Sequence, residues 1–195
     1  LLIGQMLEES GSSSIVAHSQ GGLASLHLWT YYNSNLDLAS MAPGRLLQSV
    51  GSPYTGCPLA GLLAVIGEWF GVGCGTQADL TYDGAQRWLA GIPSSARSAV
   101  HYYFTEYGRS GWIVDHYCNL PANAVLSWPN DGVVEVEHAR LPSATLVSNV
   151  EGECHTDGMN WPAQCQNAQR NAQMSAAAAR VFLDVEGGRR EGAPQ

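Results

Sequence analysis

The chain has 195 residues, with nine basic and 17 acidic side chains, a formal net charge of −8, 45% hydrophobic residues and only 13% charged ones. That length and apolar content suit one domain with a core of ordinary size. The acidic balance excludes a nucleic-acid backbone as partner, since phosphate binding needs a basic face, and equally excludes a polybasic membrane anchor.

The most apolar run, Pro58 to Val72, is interrupted by Glu68 and by glycines and is too short to span a bilayer. The chain opens on Leu1 and carries no signal-peptide pattern, so its natural start is expected upstream. Leu1 to Glu9 sets apolar residues 1, 2, 3, 6 and 7 on a helical face, ended by Gly11. Ser13 to His18 reads as a short buried strand. After Ser19, Gln20-Gly21-Gly22 turns abruptly into a segment, Leu23 to Trp29, of helical density. Arg45 to Val50 is a second strand, closed by Gly51-Ser52-Pro53. Leu59 to Phe70 reads as a helix, and Thr81 to Ala90 as another, stopped by Gly91 and Pro93.

Ala99 to Thr105 is a third strand, followed by an irregular stretch over 108–129 and a turn at Asn130-Asp131-Gly132. Thr145 to Val150 is a fourth strand and Asn167 to Leu183 a long Ala-rich helix. Strands alternating with helices predict an α/β fold on a mostly parallel sheet, formed by residues 1–185. The Gly-, Arg- and Glu-rich stretch 186–195 reads as a flexible tail.

Cysteines stand at 57, 74, 118, 154 and 165, with no C-x-x-C pair to suggest a zinc knuckle or a thioredoxin-like site. Two spacings suggest local disulfides, Cys57 with Cys74 and Cys154 with Cys165, each stabilising by roughly 3 kcal/mol in the chain-entropy model. Cys118 is then left over. Oxidised pairs imply a secreted or extracytoplasmic protein; the competing reading is five buried thiols in a cytosolic one.

The most informative stretch is Ile15-Val16-Ala17-His18-Ser19-Gln20-Gly21-Gly22. A serine between a buried strand and a helix, with tiny residues two positions to either side, matches a nucleophile elbow. So tight a turn requires Ala17 and Gly21 to be small. It lifts the Ser19 hydroxyl clear of the sheet, and it aims the Gln20 N–H, at a helix start, toward a developing oxyanion. Ala17 departs from the usual glycine. The competing reading is a Ser-Gln-Gly turn without chemistry.

With Tyr54-Thr55-Gly56 after Pro53, and with Asn130-Asp131-Gly132-Val133-Val134 after Trp128-Pro129, the stretch from Ile15 to Trp161 resembles the lipase-like α/β-hydrolases, especially bacterial secreted lipases and esterases. The resemblance implies Ser19 as nucleophile, His155 as general base and acid, and Asp131 as the group orienting His155, in the chain order that fold uses. His18 is a companion in the elbow and is expected to point away along the strand. His27 and His101 fall on elements expected to be buried. His116 lies in the irregular region, and His138 follows Asp131 too closely to face it. Asp115 is the alternative acid.

Asp157 stands where related lipases have a calcium ligand, so a structural calcium is a further expectation, against a plain loop aspartate. No other cofactor is required. The 57–74 segment, with Trp69 and Phe70, reads either as a lid over an acyl pocket meeting a lipid interface or as a core helix. An elbow at residue 19 leaves no room for the strands that precede it in this fold, one of whose loops supplies the second oxyanion donor. The chain is therefore expected to be a C-terminal portion, with the rest on an unrecorded segment, on a companion chain after cleavage, or lost in evolution, the last leaving a scaffold without its full oxyanion hole. Two functions compete: a serine hydrolase of acyl or lipid esters, and a non-catalytic hydrolase-fold subunit serving as a structural or signalling partner.

Overall fold

The computed structural model describes residues 2–12, 14–32, 47–61, 78–107, 125–156 and 163–191. Helix α1 (Leu2–Ser10) leads to β1 (Ile15–His18), α2 (Gln20–Tyr31) and β2 (Leu47–Val50). Helices α3 (Tyr82–Gly91) and α4 (Ser94–Arg97) precede β3 (Val100–Glu106). Helix α5 (Val136–Ala139), β4 (Thr145–Glu151) and α6 (Ala168–Glu191) complete the order, with single 3₁₀ turns at Pro58–Gly61, Ala78–Leu80 and Gln164–Gln166.

The four strands form one sheet in the order β1-β2-β3-β4, every neighbouring pair parallel. This is the expected α/β architecture. Parallel pairing needs crossovers, and the helices between strands supply them. Alternation along β2 and β3 sorts side chains to two faces. Leu47 and, on β3, Val100, Tyr102 and Phe104 join Leu23 and Leu26 of α2 in the main core. Val50 and Tyr103 turn the other way and pack on Met174 of α6. On that second face Tyr103 Oη donates to Gln48 Oε1 (2.9 Å), and Gln48 Nε2 donates to the Met174 carbonyl (2.9 Å), so a buried amide ties sheet to helix.

Local signals act as expected at α3. Thr81 caps it, its Oγ1 accepting from Gly84 N–H at 3.1 Å, and Ile92 and Pro93 follow its end. Within the described residues the strand and helix expectations match to within a few residues, and two details differ. Helix α6 runs on to Glu191, through Glu186 where composition suggested a tail. Most of the 57–74 segment lies outside the described residues. Its first part, Pro58–Gly61, is a 3₁₀ turn, with Cys57 N–H donating to the Leu80 carbonyl at 2.9 Å.

Both expected disulfides are overturned. Cys57 is a thiol buried against Leu59 and Leu126, its Sγ donating to the Val133 carbonyl at 2.9 Å. Cys165 is an exposed thiol, while Cys154 is disulfide-bonded, so its partner is neither of these. Spacing misled because Cys57 faces inward, where it serves as a small apolar side chain. Among the described residues no helix is long and apolar enough to cross a membrane.

Candidate active site

The carboxyl ends of the parallel strands converge, as they do where open α/β sheets bind ligands. Ser19 follows β1 directly, its N–H donating to the Val50 carbonyl at 2.9 Å; Gly51 follows β2, its N–H donating to the Tyr103 carbonyl at 2.9 Å. Beyond β3, Tyr107 N–H donates to the Asn130 carbonyl at 2.9 Å, which brings the Asn130–Gly132 turn to the same end. Beyond β4, Gly152 N–H donates to the Glu106 carbonyl at 3.1 Å, and the chain reaches Cys154 and His155.

Ser19 has φ 56° and ψ −132°, a conformation rare outside glycine, which costs about 1–3 kcal/mol and is held only by its surroundings. It sits at the N-cap of α2, yet its hydroxyl makes no capping bond. Gln20 opens the helix, so its N–H falls in the first turn, where an α-helix provides no acceptor of its own. The elbow packs more tightly than its sequence suggests, and at a different glycine. A Cβ on Gly21 would lie 3.5 Å from the Ala17 Cβ, an ordinary contact, whereas one on Gly22 would run into Ser52 Oγ and lie 2.8 Å from Ser52 Cβ and 3.0 Å from Ser49 Cβ.

Asp131 is 1% exposed. Its Oδ1 accepts from the N–H groups of Val133 (3.0 Å) and Val134 (2.7 Å). Its Oδ2 accepts from His155 Nδ1 (2.7 Å) and from Gln164 Nε2 (2.6 Å). Asn130 shapes the turn that carries it, its Oδ1 accepting from Gly132 N–H at 2.8 Å. An ionised carboxylate only accepts, so the bond places the His155 proton on Nδ1 and leaves Nε2 as the basic nitrogen. That Nε2 is buried and has no hydrogen-bond partner; in this structure no bond joins it to Ser19. The structure thus couples His155 to Asp131 and places Ser19 at the same end of the sheet without closing the Ser–His link.

His18 does not point away. Its ring lies 4.6 Å from that of His155, tilted by 43°. Burial, then a charge on His155, push the His18 imidazole well below its ordinary value, although the residue keeps part of its surface in solvent. The other described histidines are engaged elsewhere. His27 Nδ1 accepts from Trp88 Nε1 (3.2 Å), and His138 contacts Thr55 Oγ1 (2.8 Å) and Glu135 Oε2 (3.4 Å). His101, on β3, is shifted down by burial. Asp115, His116 and Asp157 lie outside the described residues. Among the described residues no group of three or more His, Cys, Asp or Glu could hold a metal ion.

The loop bearing His155 is anchored from below. Glu153 pairs with the 2%-exposed Arg170 of α6, Nη2 to Oε2 at 3.2 Å, and its carbonyl accepts from Thr105 Oγ1 at 2.9 Å. Two contributors escaped the sequence reading. Gly51 has φ +59°, and a Cβ there would lie 2.9–3.0 Å from the Gln164 amide and 3.3 Å from Asp131 Oδ2. Gln164, fully buried beside Asp131, belongs to no motif; only its place a few residues beyond His155 could have drawn attention to it.

A doubly covered parallel sheet with a strained serine after its first strand and a coupled Asp–His pair at the same end defines an α/β-hydrolase fold. Solved structures agree. The mature form of a Bacillus licheniformis lipase matches with a TM-score of 0.56 at 18% identity, over 89% of this chain and 69% of that one. A metagenomic carboxyl esterase matches with a TM-score of 0.52 at 21% identity, over 90% and 56%. Within that class the chain belongs to the Conditioned medium factor C-terminal domain family, which residues 1–178 match. Its relative from Dictyostelium discoideum, named Conditioned medium factor, is 49% identical over 177 residues, covering 88% of this chain and 25% of the relative. The chain thus spans about a quarter of that relative's length.

Proposed function

We propose that the chain is the hydrolase-fold domain of a secreted factor, and that it cleaves neutral carboxylic esters through an acyl-enzyme on Ser19. The observation that carries this reading is the buried 2.7 Å bond from His155 Nδ1 to Asp131 Oδ2, at the strand ends where the strained Ser19 also stands. In the proposed reaction His155 Nε2 removes the Ser19 proton as Oγ attacks the ester carbonyl. The Gln20 N–H takes part of the oxyanion charge, a kind of donor whose loss costs about 3 kcal/mol. The proton then passes from Nε2 to the departing alcohol, and a water, deprotonated by the same nitrogen, releases the acid and restores Ser19. Asp131 keeps the imidazole in the tautomer this sequence needs.

Extracytoplasmic location is part of the proposal; the relative's name puts that protein in conditioned medium. So is a companion segment supplying the second oxyanion donor, since the chain covers only part of its relatives. A structural calcium at Asp157 and a lid over 57–74 contacting lipid are proposals of the same kind.

The family comparison leans to a second reading, in which the domain is a non-catalytic partner within a signalling or structural assembly. The relative is named as a factor and not as an enzyme, and the Ser–His link is open. A fluorophosphonate probe applied to the full-length protein decides between the two. Labelling that disappears in Ser19→Ala, together with p-nitrophenyl ester turnover that the same change abolishes, supports the hydrolase. Folded protein with no labelling and no turnover supports the partner.

A further inference from the structure

We infer that Gln164 is a positioning residue that holds the Asp131 carboxylate toward His155. The inference rests on reading Ser19, His155 and Asp131 as one reactive set. Gln164 is fully buried, and its Nε2 lies 2.6 Å from Asp131 Oδ2, the oxygen that also takes the His155 proton. A carboxylate has no hydrogen to offer, so the amide must present Nε2 and turn Oε1 away. That Oε1 is buried and has no partner. A leucine would fill the same space without orphaning an acceptor, so what the amide adds at this position is the N–H bond to the carboxylate.

The surroundings hold that orientation. The Gln164 backbone N–H donates to the Cys154 carbonyl at 2.8 Å, next to His155, and so fixes the side chain's root to the histidine loop. Gly51 leaves room for the amide, since any Cβ there would stand 2.9 Å from Oε1 and 3.0 Å from Nε2. Two donors converging on Oδ2 and two backbone N–H groups on Oδ1 leave the carboxylate no freedom to rotate about its last bond.

Two variants in the full-length protein test this. Gln164→Leu removes the donor and should lower kcat about 10- to 100-fold, as loss of a hydrogen bond to a charged group does, with KM near the native value. Gln164→Glu keeps the shape and therefore stays informative if the leucine variant fails to fold. Two carboxyls at that distance share one proton until rising pH removes it. While it is held, the acid at 164 donates to Asp131 as the amide does, and kcat should stay well above that of Gln164→Leu; once it is lost the donor goes and kcat should fall with rising pH, which a merely space-filling side chain would not cause. Native kcat in folded Gln164→Leu, or a Gln164→Glu variant already impaired at the pH where the shared proton is held, overturns the inference.

A second readout does not need turnover. The hydrogen-bonded Nδ1 proton of His155, followed by proton NMR, should shift in Gln164→Glu and vanish in Asp131→Ala; an unshifted resonance overturns the role of Gln164. A native protein that neither turns over ester nor takes the fluorophosphonate would sink the hydrolase reading, while the NMR result still decides on Gln164.

Discussion

His155 is bonded to Asp131 twice, from its backbone N–H to the Asp131 carbonyl at 3.0 Å and from ring Nδ1 to Oδ2 at 2.7 Å. The backbone bond survives any change to the Asp131 side chain. Asp131→Asn should therefore keep the fold, because Oδ1 can still accept from Val133 and Val134. Its Nδ2 would then face Gln164 Nε2 and His155 Nδ1–H, donor against donor. Gln164 can turn its amide over, and the imidazole can move its proton to Nε2, which leaves the wrong tautomer for catalysis. Ester turnover should fall about 10⁴-fold, by analogy with other triads, with an unchanged circular dichroism spectrum. Under the proposed hydrolase reading, adding Asp131→Ala to His155→Ala should cost little more than His155→Ala alone, since members of one reactive set do not contribute additively. Full activity in Asp131→Asn would remove Asp131 from that set.

The two elbow glycines should respond oppositely to alanine. Gly22→Ala drives a methyl into the Ser52 Cβ, 2.8 Å away, which can move only with its backbone, and overpacking of this kind costs about 1–3 kcal/mol. Gly21→Ala meets only ordinary contact at 3.5 Å and should be neutral or stabilising, since alanine favours helix over glycine. Urea denaturation of both variants checks the pair. Equal midpoints would mean that α2 is not pressed against Ser52.

Acid should weaken the fold through His18. Its folded imidazole is depressed from 6.5 to about 4, so between those values the unfolded chain takes up the proton and the native one does not. Stability from this source is whole above about pH 6.5 and is lost as pH falls toward 4. His101, also depressed by burial, acts in the same sense. His18→Gln should therefore flatten, without abolishing, the fall in denaturation midpoint between mildly alkaline and mildly acid buffer. An identical slope in native protein and variant would place the acid sensitivity elsewhere.

Breaking the ion pair beneath the histidine loop should be costly from the glutamate side. Glu153→Gln leaves the 2%-exposed Arg170 guanidinium buried without its counter-charge, a change that costs about 3–5 kcal/mol at buried pairs. Thermal unfolding of Glu153→Gln and of the double variant Glu153→Gln/Arg170→Met separates the two effects. The double variant should recover part of the loss, and a loss that simply adds would argue against the pairing.

Cys57 should behave as a silent thiol. Burial pushes it up to about 12, and its Sγ is engaged with the Val133 carbonyl. Iodoacetamide at neutral pH should leave it unmodified in native protein and alkylate it on unfolding. Peptide mapping that finds Cys57 bridged to Cys74 would reverse this assignment.

The sheet was legible because its signals are local. Short apolar runs, Gly-Ser-Pro and Asn-Asp-Gly turns and a tiny-Ser-tiny elbow each carry their meaning within a few residues. Asp131 and His155 stand out only through the resemblance to lipase-like hydrolases, which gives the Asn-Asp-Gly turn and the later histidine their roles. Gln164 and the Gly22–Ser52 contact were not legible, because their roles arise only when segments remote in sequence are folded together. The cysteines mislead on the same ground: spacing along the chain says nothing of which way Cys57 faces. His18 shows the limit of strand alternation, which sets the face a residue starts from and not what a returning loop brings against it.

Sequential strand order with parallel pairing also has a consequence in time. A parallel pair cannot nucleate as a hairpin, so each addition must first close a crossover and meet its entropic cost before any ladder bond repays it. Residues 19, 51, 131, 155 and 164 therefore come together only after every crossover has closed. During refolding, helical signal should return well before the site exists, and any partly folded species, whatever its helix content, should be inert. Whatever chemistry the domain performs is in this sense a report that the whole sheet has closed.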